Sequence, residues 1–191
     1  MGLSLVGIDC DLGEASVQIA SDSYGIGELA TRRLIDDGCS RILCLRNNSR
    51  MRMPANKRTD AYHDVVEQAG LPALVREVEF VKSDDEKSAV VAKILDENPD
   101  IDGIFAGDDT MAAICLNVMK QRGLSAPDDI KVVGADGARR TMTFMPDLTT
   151  VRQDIDRIGE LAAQSIIALV NGEKPESNTK LPVELIEGKT A

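Results

Sequence analysis

The chain has 191 residues, 43% of them apolar, which is enough for one folded domain or two small lobes with a packed core. Its 22 basic and 32 acidic residues leave a net charge of −10, so this chain alone is a poor partner for a phosphate backbone. No apolar run approaches the ~20 residues of a membrane span, and residues 1–8 are too short for a signal-peptide core, so no membrane partner is expected. Two Tyr, three Phe and no Trp give a sugar or base few rings to stack on.

In chain order, residues 3–8 form a short apolar run that stops at Asp9, the pattern of a strand, and residues 17–20 a weaker second one. Ser21, Asp22 and Ser23 offer N-cap side chains to a helix over 24–37; Leu29, Leu34 and Ile35 give it an apolar face and Gly38 closes it. A strand over 41–45 leads into a basic, polar loop, 46–53. Pro54 opens a helix to about residue 69, ended by Gly70, and a strand covers 75–81. Ser83 heads the next helix, with Asp84, Asp85 and Glu86 in the first turn, where the helix dipole favours acids; it ends near residue 97. A strand over 101–106, a helix from Asp108 or Asp109 to 122 and a strand over 130–135 follow. Then come an extended piece (149–152), a helix (155–170), a polar linker (172–180) and a last strand (181–186). The four cysteines show no C-x-x-C or zinc spacing. Cys44 and Cys115 lie in apolar runs and are expected as buried free thiols, which fits a cytoplasmic location.

Strand and helix alternate at least four times, so the expected fold is α/β: a parallel sheet with helices on both faces. Ligands of such sheets bind beyond the carboxyl ends of the strands. The residues just past those ends are Asp9; Arg46, Asn47 and Asn48; Lys82 and Ser83; Gly107, Asp108 and Asp109; and Asp136. A carboxylate only accepts hydrogen bonds and a guanidinium only donates them, whereas sugar hydroxyls do both. Asp and Arg facing each other across a cleft therefore suit a polyol, with Asn47 adding an adaptable amide. The one histidine, His63, sits mid-helix beside Tyr62 and reads as a surface or half-buried helix residue. No Ser–His pair or glycine-rich phosphate loop appears, and no catalytic residue, metal or cofactor is assigned.

Six segments then stand in a telling order: LVGID ending at Asp9; DSYGIGELATRRLIDDGCSRI over 22–42; KRTDAY over 57–62; GIFAGDDTMAAI over 103–114; GADG with MPDLTTVRQD; and LPVELI over 181–186. In order and spacing they resemble the lac-repressor (LacI/GalR) family of sugar-responsive bacterial transcription regulators. The resemblance implies a periplasmic-binding-protein-like (type I) fold with one complete lobe and part of a second. Residues 21–148 and 181–186 would form the complete C-terminal lobe, 1–20 and 149–171 a remnant of the N-terminal lobe, and 172–180 a hinge linker. It implies ligand contacts at Asp9, Arg58, Asp108 and Asp136, to which Asn47 is added from its place on the sheet edge. Arg46 and Arg50, with Lys82, would suit an anionic ligand such as a sugar phosphate or sugar acid, or else pair with the acidic excess.

The resemblance also implies a homodimer, pointing to Met111, Ile114, Cys115 and Val118 on one helix and to the 139–144 loop, with core packing the competing use of that helix stripe. The family's helix-turn-helix is absent from this sequence, so DNA would be contacted only through a missing N-terminal domain. Three departures stand out: Cys39 where the family often has His, Ala61 where it has Gly, and no aromatic near Lys82 or Ser83. Two rival readings remain at this point. A transport receptor of the same two-lobe type would share most of the pattern. A haloacid-dehalogenase-like phosphatase would place Mg²⁺ between Asp9, Asp11 and the Asp108–Asp109 pair, although Gly13 stands where that family expects Thr or Val.

Overall fold

A computed structural model describes residues 5–10, 12–13, 16–48, 56–79 and 81–191. The elements in order are β1 (Val6–Ile8), β2 (Val17–Ser21), α1 (Ser23–Asp36), β3 (Ile42–Asn48), α2 (Asn56–Gln68), β4 (Leu74–Glu79), α3 (Asp84–Glu97) and β5 (Gly103–Ala106). They continue with α4 (Asp109–Gln121), β6 (Lys131–Asp136), α5 (Arg139–Phe144), β7 (Thr149–Gln153), α6 (Ile155–Val170), β8 (Asn178–Leu181) and β9 (Val183–Ile186). A six-stranded sheet runs β4-β3-β5-β6-β7-β9 and a three-stranded one β1-β2-β8. All neighbours are parallel except β7 and β9.

The large sheet is buried on both faces because its central strands are apolar throughout, and successive side chains alternate between faces. Leu43, Leu45, Ile104 and Val132 join one cluster with α3 and α4, through Val91, Leu95, Met111, Cys115 and Met119. The intervening Ile42, Cys44, Phe105 and Val133 join another with α1 and α2, through Ile26, Leu34, Tyr62 and Val66. Tyr62 keeps its polar end satisfied: its hydroxyl donates to Ile42 O at 2.7 Å and accepts from Leu74 N at 2.8 Å, pinning α2 to β3 and β4. Helices α1, α3, α4 and α6 start where the sequence supplies caps. Ser83 and Glu86 form a reciprocal capping box on α3, and Asp108 Oδ1 accepts from Met111 N at 2.7 Å on α4.

The parallel α/β architecture agrees with the sequence reading, with four differences. Met111, Ile114, Cys115 and Val118 are 1%, 6%, 0% and 2% exposed, in the cluster between α4 and the sheet. They are core, not a dimer face, since a side chain packed against its own sheet cannot meet a partner. Residues 149–153 belong with the large lobe and not with 1–20, because β7 pairs with β6 from Val133↔Thr149 to Asp136↔Arg152. The linker 172–180 contains most of β8, which pairs with β2; its residues NTKL alternate exposed and half-buried and carry little apolar signal. The 139–144 segment is the short helix α5, which buries nothing and has no side-chain cap, so no periodic pattern announces it. In addition, β3 runs on to Asn48, which puts Arg46 and Asn47 in a strand and not in a loop.

Candidate functional site

The site begins with a close helix crossing. A Cβ on Gly27 would lie 2.1 Å from Arg58 O, so only glycine lets α1 come this near to the first turns of α2. That approach seats Arg58 beside the carboxyl ends of β5 and β6. Its side chain is 11% exposed. Nη1 donates to Gly107 O at 2.5 Å and Nη2 to Asp136 Oδ1 at 3.0 Å. Gln153, the last residue of β7, donates its Nε2 to the same Oδ1 at 2.6 Å. Among the described residues Asp136 Oδ2 takes no hydrogen bond. Burial pushes the Asp136 carboxyl above its ordinary range, and the Arg58 guanidinium partly opposes that.

Next to this group, Asn47 Nδ2 donates to Asp108 Oδ2, while the other Asp108 oxygen caps α4. Two polar atoms here are buried with no hydrogen-bond partner among the described residues: Asn47 Oδ1, an acceptor, and Arg58 Nε, a donor. Unsatisfied buried groups are rare in folded proteins. With Asp136 Oδ2 they offer a donor and acceptors side by side, a set that a hydroxyl, which both donates and accepts, can match.

Behind the rim lies Asp109, 3% exposed. Its Oδ1 accepts from Thr150 Oγ1 at 2.6 Å and its Oδ2 from Gly137 N at 2.9 Å. Burial pushes its carboxyl up to about 6, with the Asp136 and Asp108 charges adding to the rise.

Of the expected ligand residues, Arg58 and Asp136 are bonded to each other and Asn47 is bonded to Asp108. Asp9 lies on the small sheet, where its Oδ1 accepts from Ser21 N at 3.0 Å; no bond to the other four is seen among the described residues. Arg46 is paired with Glu77 of the neighbouring strand, the use of it that competes with an anion contact. Lys82 sits half-buried in the turn after β4, its amide donating to Glu79 O at 3.2 Å, and Arg50 is outside the described residues. Gln153 was missed. It stands in the PDLTTVRQD segment, one residue beyond the extended piece expected over 149–152. Among the described residues no three His, Cys, Asp or Glu side chains cluster to hold a metal. The bonds that take up Asp109 also leave the Asp108–Asp109 pair unfit for the magnesium reading.

Comparison with known proteins fits this arrangement. The periplasmic binding protein-like domain family matches residues 31–191. The ribose operon repressor of Halalkalibacterium halodurans is 30% identical over 193 residues, covering 100% of this chain and 57% of the repressor. The sucrose operon repressor of Pediococcus pentosaceus is 31% identical over 192 residues, covering 100% of this chain and 59% of the repressor. The chain thus spans less than two thirds of the length of both. In fold it is similar to a periplasmic binding protein/LacI transcriptional regulator from Alkaliphilus metalliredigens, solved with D-xylulofuranose. That likeness has a TM-score of 0.87 at 24% identity, over 99% of this chain and 71% of the other.

Proposed function

The chain belongs to the periplasmic binding protein-like domain family, and from that premise we propose that it is the effector-binding part of a LacI-type transcription regulator, with a sugar as effector. It is neither an enzyme nor a transport receptor in this reading, and it acts in the cytoplasm. The curated relatives are repressors of sugar operons, which supports it. The observation that carries it is the pair of buried atoms without a partner among the described residues, Asn47 Oδ1 and Arg58 Nε, beside the Asp136 and Asp108 carboxylates.

Charge decides the kind of sugar. Among the described residues the carboxylates of Asp108 and Asp136 stand with one guanidinium at this rim, that of Arg58, which already serves Asp136 and Gly107 O, and Asp109 lies behind them. Arg46 is held by Glu77. A phosphate or carboxylate on the ligand would meet like charge, so an uncharged sugar is favoured over a sugar phosphate or sugar acid. Regulation follows from differential affinity: a sugar bound at this rim favours whichever arrangement of the two lobes gives it more contacts. A second copy of the chain and a DNA-binding head elsewhere in the protein would carry that preference to an operator.

Calorimetry with ribose, sucrose, cellobiose and their phosphorylated forms tests the proposal. At least one uncharged sugar is expected to bind. Asp136→Asn and Arg58→Ala should each weaken that sugar by about 10-fold to 100-fold, the range for lost hydrogen bonds to charged groups. Preference for a phosphorylated sugar would overturn the choice of ligand. Affinity untouched by either substitution would overturn the site.

A further inference from the structure

We propose that Asp109 is a positioning residue for the effector rim: through the Gly137 amide and the Thr150 hydroxyl it fixes the turn that presents Asp136 to the ligand. The inference rests on the reading of Asp136 as a ligand carboxylate.

The geometry around Asp109 is built for that task. Asp136 has φ 108, a conformation that a residue with a Cβ rarely adopts, and Gly137 follows with φ 58. A turn of two such residues needs an external hold. The bond from Gly137 N to Asp109 Oδ2 is a buried one and falls on the residue next to Asp136. Thr150, fully buried on β7, fixes the other carboxylate oxygen.

The backbone is shaped around this carboxylate. A Cβ on Gly134 would lie 2.6 Å from Asp109 Oδ1, so β6 carries glycine where the carboxylate passes over it. A Cβ on Gly137 would lie 2.7 Å from Arg152 Cα, so the turn can press against β7 only without a side chain. Elements α4, β6 and β7 therefore converge on one buried acid. That acid touches no ligand-facing atom but adjoins, by one residue, a side chain that does.

Burial already disfavours the charge on Asp109. An uncharged group in that seat would burden the fold less, so the carboxylate is better explained by what it holds in place than by stability.

The test uses the full chain and compares Asp109→Ala, Asp109→Asn and Thr150→Val. The asparagine keeps an acceptor for Gly137 N and donates to the Thr150 hydroxyl; the alanine does neither. Two readouts are taken: amide hydrogen exchange at Gly137, and affinity for the uncharged sugar that binds the wild type. Asp109→Ala is expected to speed Gly137 exchange and weaken the sugar by about tenfold or more each, with Val78 on the distant β4 unchanged. Asp109→Asn should bring both back to within about threefold of wild type, as rescue by a near-isosteric group requires.

Wild-type exchange and affinity in Asp109→Ala would overturn the proposal. So would an affinity loss that Asp109→Asn leaves unrepaired while Gly137 exchange is restored, because Asp109 would then act by charge and not by position. If Asp109→Ala does not fold, Thr150→Val carries the test: it must loosen Gly137 and weaken the sugar in the same direction, and no change in either overturns the inference. If no sugar binds the wild type, the effector reading fails, and Gly137 exchange alone still shows whether Asp109 holds the turn.

Discussion

The two sheets are built mostly from the same kind of short parallel strand, yet they bury very different amounts. The six-stranded sheet has helices on both faces and a packed cluster under each, with Leu45, Ile104, Phe105 and Val133 at 1% exposure or less. In the three-stranded sheet the buried apolar set among the described residues is Val17, Ile19 and Ile158, under helix α6. Ile155, Ile167 and Val170 of that helix are 50%, 60% and 77% exposed. Strands pair in register in both, so pairing specifies an element without specifying how firmly it is held. Firmness comes from apolar area removed from water.

The sharpest way to break this comparison is a cavity in each lobe. Leu45→Ala should cost about 2–5 kcal/mol of global stability, as core deletions of this size do. Ile158→Ala should leave the main unfolding transition nearly in place while speeding amide exchange in Val17–Ser21. Equal shifts of the main transition in both variants would show one cooperative unit and erase the contrast.

A pH series on Asp109 comes next. Its folded carboxyl titrates at about 6 against an ordinary 3.8. The folded state therefore holds a proton that the unfolded chain has lost. This group's contribution is fully present below about pH 3.8 and is lost as pH rises through about 6. The difference is on the order of 3 kcal/mol. Chemical denaturation from pH 4 to 8 should show that loss in the wild type and a flatter profile in Asp109→Asn. Identical profiles would contradict it.

Smaller effects are expected at the exposed face of the small lobe. Ile167→Lys and Val170→Lys should change stability by no more than about 0.5 kcal/mol, the usual range for surface positions. The cysteines give the mildest contrast. Burial pushes Cys39 up to about 11 and Cys44 and Cys115 to about 12, so all three stay as thiols at neutral pH. Cys10 of the small lobe is half-buried. Mass spectrometry after brief alkylation of the native protein should find Cys10 modified first, with the other three modified only on unfolding.

Much of the large lobe was legible in the sequence, because apolar runs of strand length alternate with capped helices, and those caps (Asp22, Ser83, Asp108) appear in the structure. What escaped was polar or short. The strand β8 has too few apolar residues to signal itself, and α5 buries none. The helix stripe from Met111 to Val118 was legible as apolar, but a one-dimensional pattern does not say whether an apolar face meets a sheet or a partner. At the site, Asp108, Asp136, Arg58 and Asn47 were legible from strand ends and from family resemblance, and the structure bonds them in pairs. Gln153 and the hold of Asp109 on Gly137 depend on β7 lying beside β6, a pairing between distant segments that periodicity does not encode.

The most direct measurement is an NMR titration of the full chain with the uncharged sugar that binds it, following backbone and side-chain amides. The account predicts that the largest shifts fall on the Asn47 side-chain amide, Asp108, Asp136, Gly137 and the Gln153 side-chain amide, at the carboxyl ends of the large sheet. Gly137 and Gln153 also line an open groove of about 900 Å³ beside α5 and β9, so shifts centred there, at Met142, Ile155 and Pro182, with Asn47 and Asp108 unmoved, would contradict it.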